Sequence, residues 1–220
     1  MSDLFRTKPP APVAARRRAP LTTATLKASA VTVGSLAGLM VVLQVLNSLS
    51  GSALTQNLGI HPRSGDGLLG IVFAPLLHGS WTHLWANLVL VLILGFLVML
   101  GGARQFVGVT AVVWIVSGLG VWLTAPPNSV TIGASVLVFG WLAYLVVRGV
   151  FTRDVWQIAL GLVLLVLWGS MFWTGIAGAA FGPGRVSWQG HLFGAIGGVL
   201  AAFLVARADG GARRPLLPRR

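Results

Sequence analysis

Six apolar runs, separated by charged or glycine- and proline-containing breaks, dominate this sequence. They cover residues 28–49, 82–102, 106–123, 134–150, 155–174 and 188–206. A helix needs about 20 apolar residues to cross a bilayer, within a range of about 17–25. It also satisfies its own backbone hydrogen bonds, as a segment in lipid must. The sequence therefore predicts an all-α membrane protein, a bundle of six transmembrane helices.

The composition supports this class. Of the 220 residues, 55% are hydrophobic and 9% are charged, whereas a soluble domain carries about a quarter charged residues. The net charge of +12 lies mostly in the two ends of the chain and in junctions between apolar runs. That pattern gives no basic face for a duplex, so we expect no nucleic-acid partner. The chain has no cysteine, which excludes disulfides and thiolate metal sites.

The chain divides into a membrane domain and two basic tails. Residues 1–27 are rich in proline, alanine and arginine and have little apolar bulk, so we predict a disordered cytoplasmic tail. Residues 28–206 form the membrane domain, and residues 207–220 form a second cytoplasmic tail. Within the domain, the long loop at 50–81 carries an apolar stretch between residues 68 and 77. We expect this stretch to lie in the membrane interface.

The positive charges predict the orientation of the helices. With both termini inside, all 16 lysines and arginines lie on the inner side except Arg63 and Arg185. Loops that stay in the cytoplasm carry an excess of lysine and arginine. The distribution therefore predicts that both termini are cytoplasmic.

Three polar side chains fall at one predicted depth. By helical rise, Ser135 lies roughly 20 Å from the inner end of its helix, His191 roughly 24 Å and Asn87 roughly 26 Å. In a hydrocarbon core of about 30 Å, these values place all three slightly below the outer surface. His83 lies one turn further out than Asn87, on the same face.

Small residues predict which helices meet. Gly190, Gly194, Gly198 and Ala202 recur every four residues along the last helix. Such a row lets a second backbone approach closely in lipid. We therefore predict that the fourth and sixth helices touch and bring Ser135 within hydrogen-bond reach of His191.

The acidic residues restrict the chemistry. The four are Asp3, Asp66, Asp154 and Asp209, and there is no glutamate. All lie in predicted tails or loops, so the spans contain neither a pair of aspartates nor an H-E-x-x-H zinc site. A Ser-His-Asp triad also lacks its acid. If a serine is activated here, histidine must do it alone.

Each polar residue also has a structural interpretation. Ser135 at a helix start could serve only as a cap. His83 and Asn87 could join two helices through hydrogen bonds. Histidine is a common metal ligand, so His78, His83 and His191 could form a metal site. No carboxylate or thiolate lies beside them in the sequence, and we expect no metal and no cofactor.

The motifs together resemble those of the rhomboid family of intramembrane serine proteases. Family members carry His-x-x-x-Asn on the second helix, Gly-x-Ser-Gly followed by an aromatic residue on the fourth, and histidine with spaced glycines on the sixth. The matching positions here are His83 and Asn87; Gly133, Ser135, Phe139 and Gly140; and His191, Gly194 and Gly198. His78 also matches the family pattern. The resemblance covers residues 28 to 206 in order.

The resemblance implies a mechanism and a substrate. Ser135 would be the nucleophile and His191 its base, with Phe139 packed on the His191 ring. His83, Asn87 and the Ser135 backbone N–H would hold the oxyanion, with His78 supporting the site. The substrate would be a transmembrane segment of another protein, cleaved near the outer face of a bacterial plasma membrane. The sequence does not indicate an oligomeric state.

Two departures from the family pattern keep other functions open. Val136 stands where the family has glycine after the serine, and its isopropyl group could crowd the substrate cleft or the helix packing. The Trp-Arg signature of the first loop has no match in residues 50–77. A non-enzymatic protein that binds transmembrane helices is therefore the main alternative. A transporter or channel would need a polar path, and the inner half of the bundle offers few polar side chains.

Overall fold

The computed structural model describes residues 21–181 and 186–211, and most of these residues are helical. The predicted tails fall mainly outside these ranges. The helices are α1 (Thr23–Leu49), α2 (Ala53–Leu58), α3 (Gly67–Phe73), α4 (Trp81–Met99), α5 (Ala103–Thr124), α6 (Ser135–Thr152), α7 (Val155–Trp168), α8 (Ser170–Phe172), α9 (Ala179–Phe181) and α10 (Trp188–Gly211). A 3₁₀ turn covers Ala74–Leu76, and a π-helical turn covers Trp173–Gly178.

Five of the described helices are long and apolar enough to cross a bilayer: α1, α4, α5, α6 and α10. The segment from α7 to α9 meets the same test as a pair of helices bent by 55°. Counted as one crossing, it brings the number to six. The predicted all-α membrane bundle is confirmed, and the chain is an integral, multi-pass membrane protein.

The two predicted boundaries between the membrane domain and its tails are displaced by a few residues. The first helix begins at Thr23 instead of residue 28, so residues 23–27 do not belong to the tail. Thr22 caps this helix, since its side chain accepts a hydrogen bond from the Thr25 N–H. The last helix continues past residue 206 to Gly211. Long basic side chains can lie along an apolar helix with their charges in water. The first helix therefore includes Lys27, and the last helix continues through Arg207.

The fifth predicted span is not one straight helix. The prediction of a single helix over residues 155–174 is corrected here: α7 ends at Trp168, and the chain bends before α8. A π-helical turn follows, with Gly175 and Gly178 inside it. Turns of this kind widen a helix and often lie at functional sites. Here the turn faces α10.

Helix α6 lies at the centre of the bundle, and α10 packs against it and against α5. Trp141 and Tyr144 of α6 are fully buried. A Cβ atom on Gly198 would collide with the backbone carbonyl of Gly140, and one on Gly194 would collide with that of Val136. The predicted contact between the fourth and sixth transmembrane helices, now α6 and α10, is confirmed.

The loop before α4 is attached to the chain that leads into α6. Ile60 and Thr131 exchange backbone hydrogen bonds of 3.0 and 3.1 Å. The Arg63 guanidinium donates to the carbonyls of Leu123 and Ala125 at 3.0 and 2.8 Å. Arg63 thereby caps the end of α5, where helix carbonyls lack partners. These contacts hold the segment that leads into α6 and Ser135.

Candidate active site

Ser135 is the first residue of α6 and is partly exposed. Two residues earlier, Gly133 has φ of +114°, a backbone conformation that side chains disfavour. The helix has no side-chain cap at Ala134, and the Ser135 hydroxyl makes no capping hydrogen bond within the described part of the chain. Capping therefore does not explain this serine. Its backbone N–H also has no acceptor among residues 21–181 and 186–211.

His191 lies near the start of α10, and its ring stacks on Phe139. The ring centroids are 4.0 Å apart and the planes differ by 6°. On a helix, residues i and i+4 lie on one face about 6 Å apart, so Phe139 lies one turn below Ser135. The stacked imidazole is therefore held within one helical turn of the serine.

The backbone of the π-helical turn holds the other side of the His191 ring. The Gly175 carbonyl oxygen lies 2.8 Å from His191 Nδ1. Because a carbonyl oxygen only accepts, this contact places the proton on Nδ1. In a neutral imidazole, Nε2 is then the acceptor. This is the tautomer that a general base needs, and a backbone carbonyl takes the position of the acid in a triad.

The sequence reasoning did not identify Gly175. A backbone carbonyl leaves no mark in a pattern of side-chain types. The only signal is a pair of glycines three residues apart, Gly175 and Gly178, inside an apolar span. Such a pair marks a place where another backbone or ring can approach closely. A Cβ atom on Gly175 would lie 3.0 Å from His191 Nδ1 and would collide with Phe139.

The hydrogen bond expected between Ser135 and His191 is not formed in this structure. Among the described residues, no polar contact joins the Ser135 hydroxyl to the imidazole. In ligand-free enzymes, catalytic hydrogen bonds are often long and tighten only when substrate binds. The dyad therefore stays a prediction.

His83 and Asn87 lie on α4 beside residues 133–135, which we call the serine turn. The His83 ring packs against Gly133, where a Cβ atom would lie 2.7 and 2.8 Å from its Cε1 and Nε2 atoms. The Asn87 amide donates to the His83 carbonyl oxygen at 3.0 Å, which leaves its second N–H free to donate elsewhere. All three segments predicted to meet therefore lie together.

His78 is buried just before α4 and is in contact with the serine turn. Its Nε2 accepts a hydrogen bond from the Ala134 N–H at 3.3 Å. Its ring meets that of His83 edge to face, with centroids 5.0 Å apart. The Asn47 amide donates to the His78 carbonyl oxygen at 3.3 Å. His78 thus holds Ala134, the residue before Ser135, and its role in supporting catalysis stays a prediction.

The position of His78 predicts a pH-dependent stability. Burial, followed by the nearby His83, lowers the pKa of His78 from 6.5 to about 4. The unfolded chain therefore takes up the proton first, and stability falls as the pH drops from about 6.5 to about 4. A depression of this size corresponds to about 3 kcal/mol. Thermal unfolding in detergent should show a smaller loss for His78→Gln than for the wild type between pH 7 and pH 4. Equal losses would contradict this assignment.

Val136 fills a space between helices and not the space above the serine. It is buried, and a Cβ atom on Gly190 would lie 3.1 Å from its Cγ1. Val121 of α5 lies on the same side of Gly190. The absence of a side chain at Gly190 therefore accommodates the isopropyl group. The sequence left open whether Val136 affects the substrate cleft or the helix packing, and in the structure its side chain lies in the helix packing.

The described residues contain no group of three or more histidine, cysteine, aspartate or glutamate side chains that could hold a metal ion. Of the two imidazoles that lie together, His78 already uses Nε2 as an acceptor for the Ala134 N–H. The aspartates in the described ranges lie at helix ends, as Asp154 does where it caps α7. The polar side chains at the candidate site are the Ser135 hydroxyl, the imidazoles and the Asn87 amide.

Comparison with known proteins identifies the family of this chain. The rhomboid domain family matches residues 66–208. An uncharacterized protein of Mycobacterium bovis is 46% identical over 187 residues, which cover 83% of this chain and 77% of the relative. An uncharacterized protein of Mycobacterium leprae is 41% identical over 184 residues, 81% of this chain and 72% of the relative. The family match includes the serine turn and both histidine-bearing helices, and the chain therefore belongs to the rhomboid family.

Proposed function

We propose that this protein is an intramembrane serine endopeptidase that cleaves transmembrane segments of other proteins. The observation that carries the proposal is the setting of His191. Its ring is stacked on Phe139 and bonded through Nδ1 to the Gly175 carbonyl oxygen. A histidine that served only to join helices would not need its second nitrogen left free beside a partly exposed serine. The reaction requires no cofactor and no metal.

The proposed reaction uses Ser135 and His191 as a dyad. The Ser135 Oγ attacks the carbonyl carbon of the scissile bond while His191 Nε2 takes its proton. The protonated His191 then donates to the leaving amine, and the C–N bond breaks to give an acyl-enzyme. A water molecule, deprotonated by His191 in turn, attacks the ester and frees Ser135. The Gly175 carbonyl stabilises the imidazolium through the Nδ1–H.

The tetrahedral intermediate carries an oxyanion that needs hydrogen-bond donors. The Ser135 N–H has no protein acceptor among the described residues, and the Asn87 amide has one N–H left over. His83, packed on Gly133, is the third candidate. Donors positioned before the reaction are worth about 3–4 kcal/mol each to the transition state. The Ala134 N–H is not among them, because it already donates to His78.

The proposed location follows from charge and depth. With both termini in the cytoplasm, the start of α6 lies near the outer face of the bilayer, and the site would open there to water. A bacterial plasma membrane fits the mycobacterial relatives. The substrate helix must unwind locally, because helical hydrogen bonds occupy its carbonyls. We expect segments with helix-breaking residues near the outer face to be cleaved fastest.

Labelling with a fluorophosphonate tests the nucleophile directly. The Ser135 Oγ would displace fluoride and form a stable bond to phosphorus, so the purified protein should become labelled at Ser135. The matched control is Ser117→Ala, which removes a buried serine of α5 whose hydroxyl donates to the Trp114 carbonyl. That variant should still be labelled. A wild-type protein that stays unlabelled in bilayers would exclude the protease assignment.

The second candidate function is a non-enzymatic rhomboid-like protein that binds transmembrane helices. The missing hydrogen bond between Ser135 and His191 is the observation that favours it. Such a protein would bind a spanning peptide but would neither cleave it nor react with the fluorophosphonate. Binding and cleavage of one fluorescent spanning peptide, measured in the same vesicles, separate the two functions.

A further inference from the structure

An apolar groove of about 420 Å³ runs between α1 and α4 on the outside of the helical bundle. Six residues line it: Ala30 and Val33 of α1, and Leu92, Ile93, Phe96 and Leu97 of α4. Ala30, Leu92 and Ile93 are exposed, whereas Val33 is buried. A pocket of this volume is large enough for a small-molecule ligand. None of the lining residues belongs to the candidate active site.

The groove lies within one leaflet of the bilayer. Leu97 and Leu92 precede Met99, the last residue of α4, by about 3 Å and about 10 Å of helical rise. Val33 packs beside Gly95, so the start of α1 lies level with the end of α4. Half of the hydrocarbon core is about 15 Å thick. The groove therefore faces the acyl chains of the leaflet on the side where the N-terminal tail leads into α1.

Positive charge lies at the end of the groove nearest the headgroups. Lys27 is exposed and precedes Ala30 by three residues, which places both on one face of α1. Its side chain leans towards the start of the helix, where the ammonium reaches the headgroup layer. The sequence before α1 adds three consecutive arginines at 16–18, and no acidic residue occurs between residues 4 and 65. A ligand of this groove therefore combines a hydrocarbon chain with a negative headgroup.

We propose that the groove between α1 and α4 binds one anionic phospholipid. An acyl chain would lie along the six apolar residues, and the phosphate would pair with Lys27. Anionic headgroups are attracted to basic segments next to a transmembrane helix. A second copy of the chain is a poorer occupant, since a parallel α1 would bring its own Lys27 against this one, and like charges oppose association.

The lipid would strengthen the contact of α1 with the rest of the bundle. Helix α1 packs mainly against α4, so an acyl chain that touches both helices adds to the main contact that holds α1. A ligand that binds the folded protein and not the unfolded chain raises its stability. Phosphatidylglycerol should therefore raise the midpoint of thermal unfolding in detergent more than phosphatidylcholine with the same acyl chains.

Native mass spectrometry of the full chain tests the headgroup preference. In titrations with these two lipids, the wild type should bind one phosphatidylglycerol at least about fivefold more tightly than phosphatidylcholine, the effect of one cation near the membrane surface. The variant Lys27→Gln should lower this ratio by about fivefold. The matched control is Arg207→Gln, which removes a positive charge from α10, a helix that does not line the groove. That variant should keep the wild-type ratio.

The variant Ala30→Phe tests the groove itself. The added ring would occupy the space between α1 and α4, so the tightly bound lipid should be lost. Ala28→Phe places the same ring at an exposed position of α1 outside the groove and should retain the lipid. The gel-filtration profile and thermal unfolding show whether each variant is folded, and Lys27→Gln tests the site without changing its packing.

Several results would overturn the proposal. Equal affinity for the two lipids would show only unspecific boundary lipid, and a lipid retained by folded Ala30→Phe would place it elsewhere. Dimers that disappear in Ala30→Phe would make the groove an interface between copies of the chain. Displacement of the lipid by glycerophosphate, which has no acyl chain, would show that the site binds phosphate alone.

Discussion

Replacing Ser135 with alanine is expected to lower cleavage of a spanning peptide by about a thousandfold or more. Without the hydroxyl, no acyl-enzyme forms, and water would have to attack the peptide directly. Removal of a serine nucleophile in other serine proteases leaves only the contribution of binding and the oxyanion donors. The measurement is the initial rate of cleavage in vesicles of defined composition, with peptide binding measured separately.

If Ser135 and His191 act as a dyad, the effects of Ser135→Ala and His191→Ala on the cleavage rate should not be additive. His191→Ala should cost nearly as much as Ser135→Ala, and the double variant should be no worse than either single variant, because the two groups act in one step. Ser117→Ala is the matched control and should keep its activity. Cleavage by Ser135→Ala at a rate near that of the wild type would show that this serine is not the nucleophile.

Replacing Gly198 with alanine is expected to destabilise the folded protein by about 3 kcal/mol. A Cβ atom there collides with the Gly140 carbonyl and lies 3.0 Å from the Tyr144 backbone nitrogen. Both contacts are to backbone, so no side chain can move aside and the two helices must separate. Overpacking of this kind costs about 1–3 kcal/mol, and occasionally more. Thermal unfolding in detergent measures the effect.

Gly38 of α1 supplies the matched control for this substitution. It is also a glycine inside a transmembrane helix, but a Cβ atom on it would meet nothing within 4 Å. Gly38→Ala should therefore be neutral or stabilising by up to about 1 kcal/mol, because alanine favours the helix. If both variants lose the same stability, the cost does not come from the contact between α6 and α10.

The sequence alone predicted the helical bundle and the close contact between α6 and α10. Long apolar runs leave a chain in lipid few options other than helices, so the number of crossings could be read from composition. The row of small residues that includes Gly194 and Gly198 indicated where two backbones meet. The side chains brought to the candidate site were also predictable, since each breaks an apolar pattern at a similar depth.

The remaining features depend on backbone geometry, which side-chain patterns do not encode. The bend after Trp168 and the π-helical turn redirect the Gly175 carbonyl towards His191. The Ala134 N–H is directed at His78 because Gly133 adopts a positive φ. The space that receives Val136 exists because Gly190, on another helix, has no side chain. Each of these follows from two distant segments packing together.

The hydrogen bond between the Gly175 carbonyl oxygen and His191 Nδ1 makes the tautomer of His191 dependent on the position of the bent segment from α7 to α9. A displacement of the bent segment by about 1 Å takes this donor and acceptor out of hydrogen-bond range. The imidazole could then carry its proton on either nitrogen, and only one of the two forms accepts a proton from a serine. A spanning substrate that pushed this segment outward would therefore leave part of the population in the form that cannot accept the serine proton, and cleavage would be slower until the segment returned.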